Sequence, residues 1–201
     1  SPQMLLCLHE DHAVHIAQGY AQATDEPMGC ILHSNVGLMH GMMGIFNSWC
    51  NRVPMVVMGA TGPVDAPQRG PWIDWIHTAK DQGAMLRNFV KYDDEPRSAE
   101  ALVETMLRVN QVIRTAPRGP AYVCLDAGLQ ESALDGNLEI PDLDRFAVPA
   151  PPQPPAGSVE QAADMLVKAT NVVIMCGRLR RSRDAWDKRV ELAELLGAGV
   201  I

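Results

Sequence analysis

The sequence has no CxxC pair, no block of like charge and no long apolar run. Each absence removes a class of protein. The five cysteines, Cys7, Cys30, Cys50, Cys124 and Cys176, are odd in number and widely scattered. That excludes a disulfide framework or zinc ribbon and fits a reducing cytosol, so a cytoplasmic location is expected. Most of them stand in apolar runs and read as buried packing. No apolar stretch approaches the ~18–20 residues needed to span a bilayer, and the start lacks the charged region and cleavage site of a secretory signal. Lys and Arg number 17 against 24 Asp and Glu, a formal net charge of −7. With no basic footprint, neither nucleic acid nor a membrane surface is expected as a partner. Short chemical signatures are missing too: GLMHGMMG (Gly37 to Gly44) is not GxGxxG, and no GxSxG elbow occurs.

What is present is a chain of 201 residues, 47% hydrophobic, long enough for one substantial core and part of another. Apolar runs and helical patterns alternate. Pro2 to Leu8 reads as a short strand, so residue 3 would already lie inside one. Asp11 to Thr24, with Ala13, Ala17, Tyr20 and Ala21 at helical spacing, reads as a helix with a narrow, closely packing face. Met28 to Ser34 is a buried strand, Leu38 to Cys50 a second helix, and Val53 to Thr61 another strand. GPVDAPQRGP follows, a long connection of the functional or mobile kind. Leu102, Met106, Val109 and Ile113 mark an amphipathic helix, and Ala121 to Ala127 one more buried strand. Continuous apolar strands joined by helices imply an α/β fold, a parallel sheet with helices on both faces.

Composition changes after about residue 129. Prolines from Gln130 to Gly157 are dense enough to prevent regular structure, giving an extended linker. Ser158-Val159-Glu160-Gln161 is a capping box opening a helix, Asn171 to Gly177 a strand, and Arg183 to Leu196 a helix. This part has too few elements to close a core alone. The expected organisation is a domain over 1–129 without its first elements, a linker over 130–157, and the truncated start of a second α/β domain over 158–201.

The densest polar chemistry is HEDHAVH (His9 to His15). A zinc-protease motif needs a second histidine four residues after the first; that position is Ala13. His12 and His15 share a helix face without a third or fourth ligand, so no metal is expected there. Glu10 on its own reads equally as a catalytic carboxylate or as a helix-N-terminal one favoured by the dipole, worth about 0.3–1 kcal/mol.

Taken in order, LHEDHAVHIAQGYAQATDEP, ILHSNVG, FNSWCNRVPMVVMGATG, NFVKYDDEPRSAEAL and APRGPAYVCLD resemble the pyrimidine-binding domain of thiamine diphosphate enzymes. That family includes acetolactate synthase, pyruvate oxidase and benzoylformate decarboxylase. Residues 164–201 resemble the start of the central domain. The resemblance implies that Glu10 hydrogen-bonds N1′ of the cofactor's aminopyrimidine ring, from the end of a buried strand in a largely dry cleft, and so promotes deprotonation of the thiazolium C2. It implies that Ser34, Asn35, Gly37 and His40 contact the cofactor, with His40 standing where relatives often carry Asn. His33, in the order Leu-His-Ser, is closer to benzoylformate decarboxylase, where the matching histidine assists proton transfer; a hydrogen-bonded core histidine is its other reading. His77 and Thr78 fall where relatives present a substrate-facing pair, although Trp72, Ile73, Trp75 and Ile76 around them could equally be packing. Asp11, His12 and His15 fall to helix-start and helix-surface roles, and His9 to strand-end packing.

The implied activity is thiamine diphosphate- and Mg2+-dependent decarboxylation of a 2-oxo acid with carboligation, as in acetolactate synthase. The alternatives are a lyase that releases an aldehyde and a non-catalytic dimerisation or regulatory module. The family holds Mg2+ and the diphosphate through a Gly-Asp-Gly motif that is absent here; Asp135-Gly136 lies in the linker. The implied assembly is a homo-oligomer, a dimer at least and a tetramer by expectation, and these residues alone should not turn over substrate.

Overall fold

Two strands with no charged side chain until Asp126 closes the second, β2 (Met55–Thr61) and β4 (Pro120–Asp126), lie side by side in the computed structural model. It describes residues 3–134, 136–180 and 182–201. The Pro2 end of the opening run and Asp135 of the linker lie outside the described residues. The two strands pair in parallel from Met55–Pro120 to Thr61–Asp126. Edge strands β1 (Met28–Ile31) and β3 (Asp93–Asp94) complete a parallel sheet of order β1-β2-β4-β3.

Alternation along the two central strands sends side chains into two cores, as a sheet covered on both faces requires. Met55, Val57, Tyr122 and Cys124 enter the first, with Val14, Ala17, Leu38 and Ile45 from helices α1 (Glu10–Thr24) and α2 (Asn35–Cys50). Val56, Met58, Ala121 and Val123 enter the second, against Val109 and Ile113 of α4 (Ala99–Arg114). Ser98 caps α4 by accepting the Ala101 N–H at 3.1 Å. At its far end Lys91 Nζ donates to the carbonyls of Val112 and Thr115. The α/β fold expected from the alternation of runs is the fold observed.

Helices α1 and α2 approach closely because α2 presents glycines to α1. A Cβ at Gly44 would lie 2.6 Å from Val14 Cγ1, and one at Gly41 would lie 2.8 Å from Leu32 Cδ1 and 3.1 Å from Val14 Cγ2. Nothing but hydrogen fits at either position.

Several expectations are corrected. Residues 3–8 pair with no strand among the described residues, and Met4, Leu5, Leu6 and Leu8 are exposed. An extended run becomes a strand only when a neighbour supplies its ladder, and β1 is the edge on that side. The loop after β2 is tied down: Arg69 donates to the carbonyls of Pro63 and Val64, and the chain then forms the short helix α3 (Trp72–Ile76). The Pro-rich stretch is not wholly irregular. It begins within the short helix α5 (Ala127–Glu131), and a 3-10 turn at Leu143–Phe146 is followed by Ala147, whose carbonyl accepts from Gln111 Nε2 at 2.8 Å. Among the cysteines, Cys30 and Cys124 are buried, Cys7 and Cys50 are half-buried, and Cys176 is exposed; all are free thiols. Burial pushes the Cys30 thiol up to about 11, which keeps it protonated and inert.

The chain divides into two compact units, Ser1–Pro149 and Ala150–Ile201. In the second, α6 (Ser158–Lys168) is capped by Gly157 in the left-handed region at φ 78°, not by the Ser158 hydroxyl; Ser158 is already the first helical residue. Strands β5 (Val173–Ile174) and β6 (Gly199–Val200) pair in parallel around α7 (Arg183–Leu196), and neither helix buries a residue. No helix among the described residues is long and apolar enough to cross a membrane.

Gly44→Ala should destabilise the fold, because its methyl meets the Cβ side of a fully buried Val14. Overpacking of roughly 1–3 kcal/mol outweighs the ~1 kcal/mol that helix propensity returns. Gly19→Ala, with nothing within 4 Å, should instead stabilise by about 0.5–1 kcal/mol. Urea unfolding of the two variants should move the midpoint in opposite directions.

Candidate active site

Three chain segments converge beyond the C-terminal ends of the strands: the start of α1, the start of α2 and the end of α3. β1 continues through Leu32, whose N–H donates to Met58 O at 2.8 Å and whose side chain is buried. The next residue, His33, is thereby delivered to the mouth of the sheet, and Ser34 and Asn35 turn the chain into α2.

Gly37, in the first turn of α2, is the meeting point. A Cβ there would lie 2.8 Å from His33 Cβ, 3.1 Å from Glu10 Oε1 and 3.2 Å from Glu10 Cγ. The carboxylate and the imidazole-bearing backbone thus share the space that a side chain at 37 would fill.

Glu10 is the first residue of α1, with His9 as its cap: His9 Nδ1 accepts the Asp11 N–H at 3.2 Å. His9 is therefore a capping residue, not strand-end packing. Its ring stacks on that of His40, with centroids 4.8 Å apart. His40 Nδ1 in turn lies 3.1 Å from Glu10 Oε2. The carboxyl of Glu10 is held below the usual carboxylate range, chiefly by its own backbone N–H and then by His40, against a smaller opposing effect of burial. Its side chain keeps 28% exposure, and it follows an unpaired segment, so the buried-strand setting and dry cleft expected from the sequence are absent from this chain.

His9, Glu10 and His40 bring one donor atom each within 4.8 Å of one another. One nitrogen of each ring is engaged, however: His9 Nδ1 takes a backbone N–H and His40 Nδ1 the carboxylate. The positive end of α1 also opposes a cation. The cluster is a hydrogen-bonded network, not a cation cage.

His33 Nδ1 lies 3.2 Å from Ser34 Oγ, and its ring meets that of His77 edge to face at 4.8 Å. Asn35 sets this encounter. Its Nδ2 donates to Ile76 O at 3.1 Å across 41 positions, while its Oδ1 accepts the Val36 N–H at 3.0 Å. Thr78 donates its hydroxyl back to Asp74 O, so it secures the end of α3. Glu10, His33, Gly37 and His40 therefore form one group, His77 joins it through His33, and Thr78 stands one step outside. Two surface hollows of about 250 and 300 Å³, one lined by Asp81, Arg87, Asp93 and Glu95 and the other by Val64, Gln68, Arg97 and Asp126, include none of these groups.

The His9 cap and the Asn35–Ile76 clamp escaped sequence reading. Histidine is not among the preferred capping residues, and a side chain-to-carbonyl bond leaves no periodic trace. Only the acidic pair Glu10-Asp11 in the first turn could have marked position 9 as a helix start.

Comparison with known proteins bears on the arrangement. A family model described as thiamine pyrophosphate enzyme, N-terminal TPP binding domain, matches residues 1–85. Benzoylformate decarboxylase of Pseudomonas aeruginosa is 26% identical over 195 residues, 96% of this chain and 35% of that protein. The large subunit of acetolactate synthase isozyme 2 of Escherichia coli is 29% identical over 173 residues, 86% of this chain and 30% of that subunit. The crystal structure of benzoylformate decarboxylase from Polynucleobacter necessarius has the same fold, with a TM-score of 0.81 at 23% identity over 98% of this chain and 35% of that one. The chain spans about a third of the length of the curated relatives it matches.

Asn35→Ala should free the Ile76 carbonyl and with it the α3 segment. Amide hydrogen exchange over residues 72–78 should accelerate about 5- to 10-fold, the loss of one hydrogen bond of about 1 kcal/mol, while β2 and β4 stay protected.

Proposed function

This chain belongs to the thiamine diphosphate enzyme superfamily, and on that premise we propose that it supplies the pyrimidine-side half of a thiamine diphosphate- and Mg2+-dependent active site acting on 2-oxo acids. The observation that carries the reading is the convergence of Glu10 Oε1 and His33 over Gly37, a place that any Cβ would fill. The donor set suits an aminopyrimidine: a carboxylate to bond a ring nitrogen, and an imidazole nearby to move a proton. When bound, the cofactor supplies the electron sink for decarboxylation.

The residues of the chain divide the remaining work. Glu10 presents an oxygen that accepts a hydrogen bond while ionised and can take up the proton. His33, at the strand mouth beside His77, is placed to exchange a proton with a reacting substrate, with its Nδ1 toward Ser34 Oγ. Ser34, Asn35 and Gly37 hold the start of α2, and Asn35 keeps His77 against His33. His77 is the substrate-facing candidate of its pair; Thr78 supports it from behind.

Within this reading residues 1–129 act as the pyrimidine-binding domain, 130–157 as the linker and 158–201 as the beginning of the central domain. The diphosphate and metal contacts come from outside these residues, since the sequence contains no Gly-Asp-Gly. A homo-oligomer accords with the row Val36, Met39, Met43 and Phe46, exposed at helical spacing along α2. Free thiols accord with the cytoplasm.

Two outcomes compete after decarboxylation. The pairing of His33 with a second imidazole favours protonation of the product and release of an aldehyde, as in a benzoylformate decarboxylase-like lyase. Transfer to a second carbonyl compound, as in acetolactate synthase, is the other reading.

In the full-length protein that carries this chain, Glu10→Gln should lower cofactor-dependent carbon dioxide release from 2-oxo acids by at least ~100-fold, the scale of a lost acid–base group. Activity near that of the wild type would overturn the assignment. His33→Ala should depress aldehyde release more than carboligation; equal losses would favour the synthase reading.

A further inference from the structure

We propose that His40 is the positioning residue of Glu10: it holds Oε2, and thereby leaves Oε1, over Gly37, as the oxygen offered to a ligand. The inference deepens the reading of Glu10 above and rests on it for the identity of that ligand. Three observations carry it. His40 Nδ1 lies 3.1 Å from Oε2, a charge-assisted contact in which the ring N–H donates to the ionised carboxylate. The other oxygen, Oε1, is the one that approaches the Gly37 position, at 3.1 Å from where a Cβ would stand. His9 stacks on His40 at 4.8 Å with the planes 26° apart, so the cap of α1 also braces the ring that holds the carboxylate.

The two carboxylate oxygens are therefore not equivalent. A free glutamate at a helix start samples several rotamers, and holding it in one costs side-chain entropy. His40 reaches from the second turn of α2 to meet it, across the cleft between the helices. The ring is half exposed at 51%, and the carboxylate it meets keeps 28% exposure. Titratable groups that act on Glu10 are His40 from α2 and His9 from its own helix. Loss of the His40 donor leaves its own backbone N–H and His9, so the carboxyl should move up toward its ordinary value without becoming neutral at pH 7.

The test is read without cofactor, in protein carrying 13C-labelled glutamate carboxyl groups, with Glu10→Gln identifying the resonance. In His40→Ala the Glu10 carboxyl should titrate at a higher pH than in the wild type, because one of the donors that favour its ionised form is gone. His40→Phe, which keeps a ring against His9 and removes the donor, should match His40→Ala. His40→Asn, which restores an N–H, should return the midpoint toward the wild type. An unmoved midpoint in His40→Ala, or a wild-type midpoint in His40→Phe, overturns the proposal. In the full-length protein the acidic limb of kcat/KM should rise with the carboxyl midpoint in His40→Ala and fall back in His40→Asn. Because the carboxyl titration needs no cofactor, it can fail while Glu10→Gln still abolishes turnover, and it can succeed if that assignment fails.

Discussion

The close approach of α1 to α2 is the constraint on which the site depends. Gly37, Gly41 and Gly44 fall on one face of α2 and leave a groove with no side chain in it. Into that groove fit, in order, Glu10, Val14 and the edge of His15. Van der Waals contact between Val14 and the bare backbone holds the register of the two helices. Register then decides chemistry, since Glu10 sits one turn before Val14 on the same helix face. A side chain at any of the three glycines would push α1 outward and carry the carboxylate away from His33 and His40. The glycines are thus a packing device first and a functional one by consequence.

The sheet supplies the complementary half of the geometry. Because β2 and β4 bury alternate residues in two cores, their ends have little freedom, and the Leu32–Met58 bond extends that rigidity to the residue before His33. The chain between β2 and β3 is longer and has less core of its own. It is held by polar ties: Arg69 on the carbonyls of Pro63 and Val64, Asn35 on Ile76, and Gln82, which donates to Ala60 O and accepts from Tyr122. Gly59 makes room for the Tyr122 hydroxyl in that last tie, since a Cβ there would come within 2.4 Å of it. Apolar packing places His33; hydrogen bonds bring His77 to it.

How much of this was legible in the sequence follows the same division. Met55–Thr61 declares itself as a continuous apolar run and Ala99–Arg114 by its helical repeat, because burial on both faces or on one imposes those patterns. The motif GLMHGMMG could be excluded as a nucleotide loop, yet its actual use as a groove depends on a partner helix that the local sequence does not name. Glu10, His33 and His40 could be singled out through family resemblance, whereas the contacts among them could not. The Glu10–His40 contact and the Asn35–Ile76 clamp join residues 30 and 41 positions apart through side-chain geometry, which leaves no pattern in a linear chain. The opening run, Met4 to Leu8, misled for the opposite reason. Its composition suits a strand, but pairing is a property of neighbours, and it pairs with none among the described residues.

One tension remains inside the site, and the arrangement resolves it. A carboxylate at a helix start, bonded by its own N–H and by an imidazole, is stabilised in its ionised form. A group that must also take up a proton works best when that form is not too strongly favoured. Dividing the two oxygens between tasks separates the demands. The donor from α2 meets Oε2, while Oε1 is the oxygen that faces the bare glycine. Covering the 28% of the side chain that is open here would add desolvation, which acts in the direction opposite to the hydrogen bonds. Under the proposed reading, the proton affinity of Glu10 would rise as the site fills, so the same carboxylate would serve as a firm hydrogen-bond acceptor when open and a better base when enclosed.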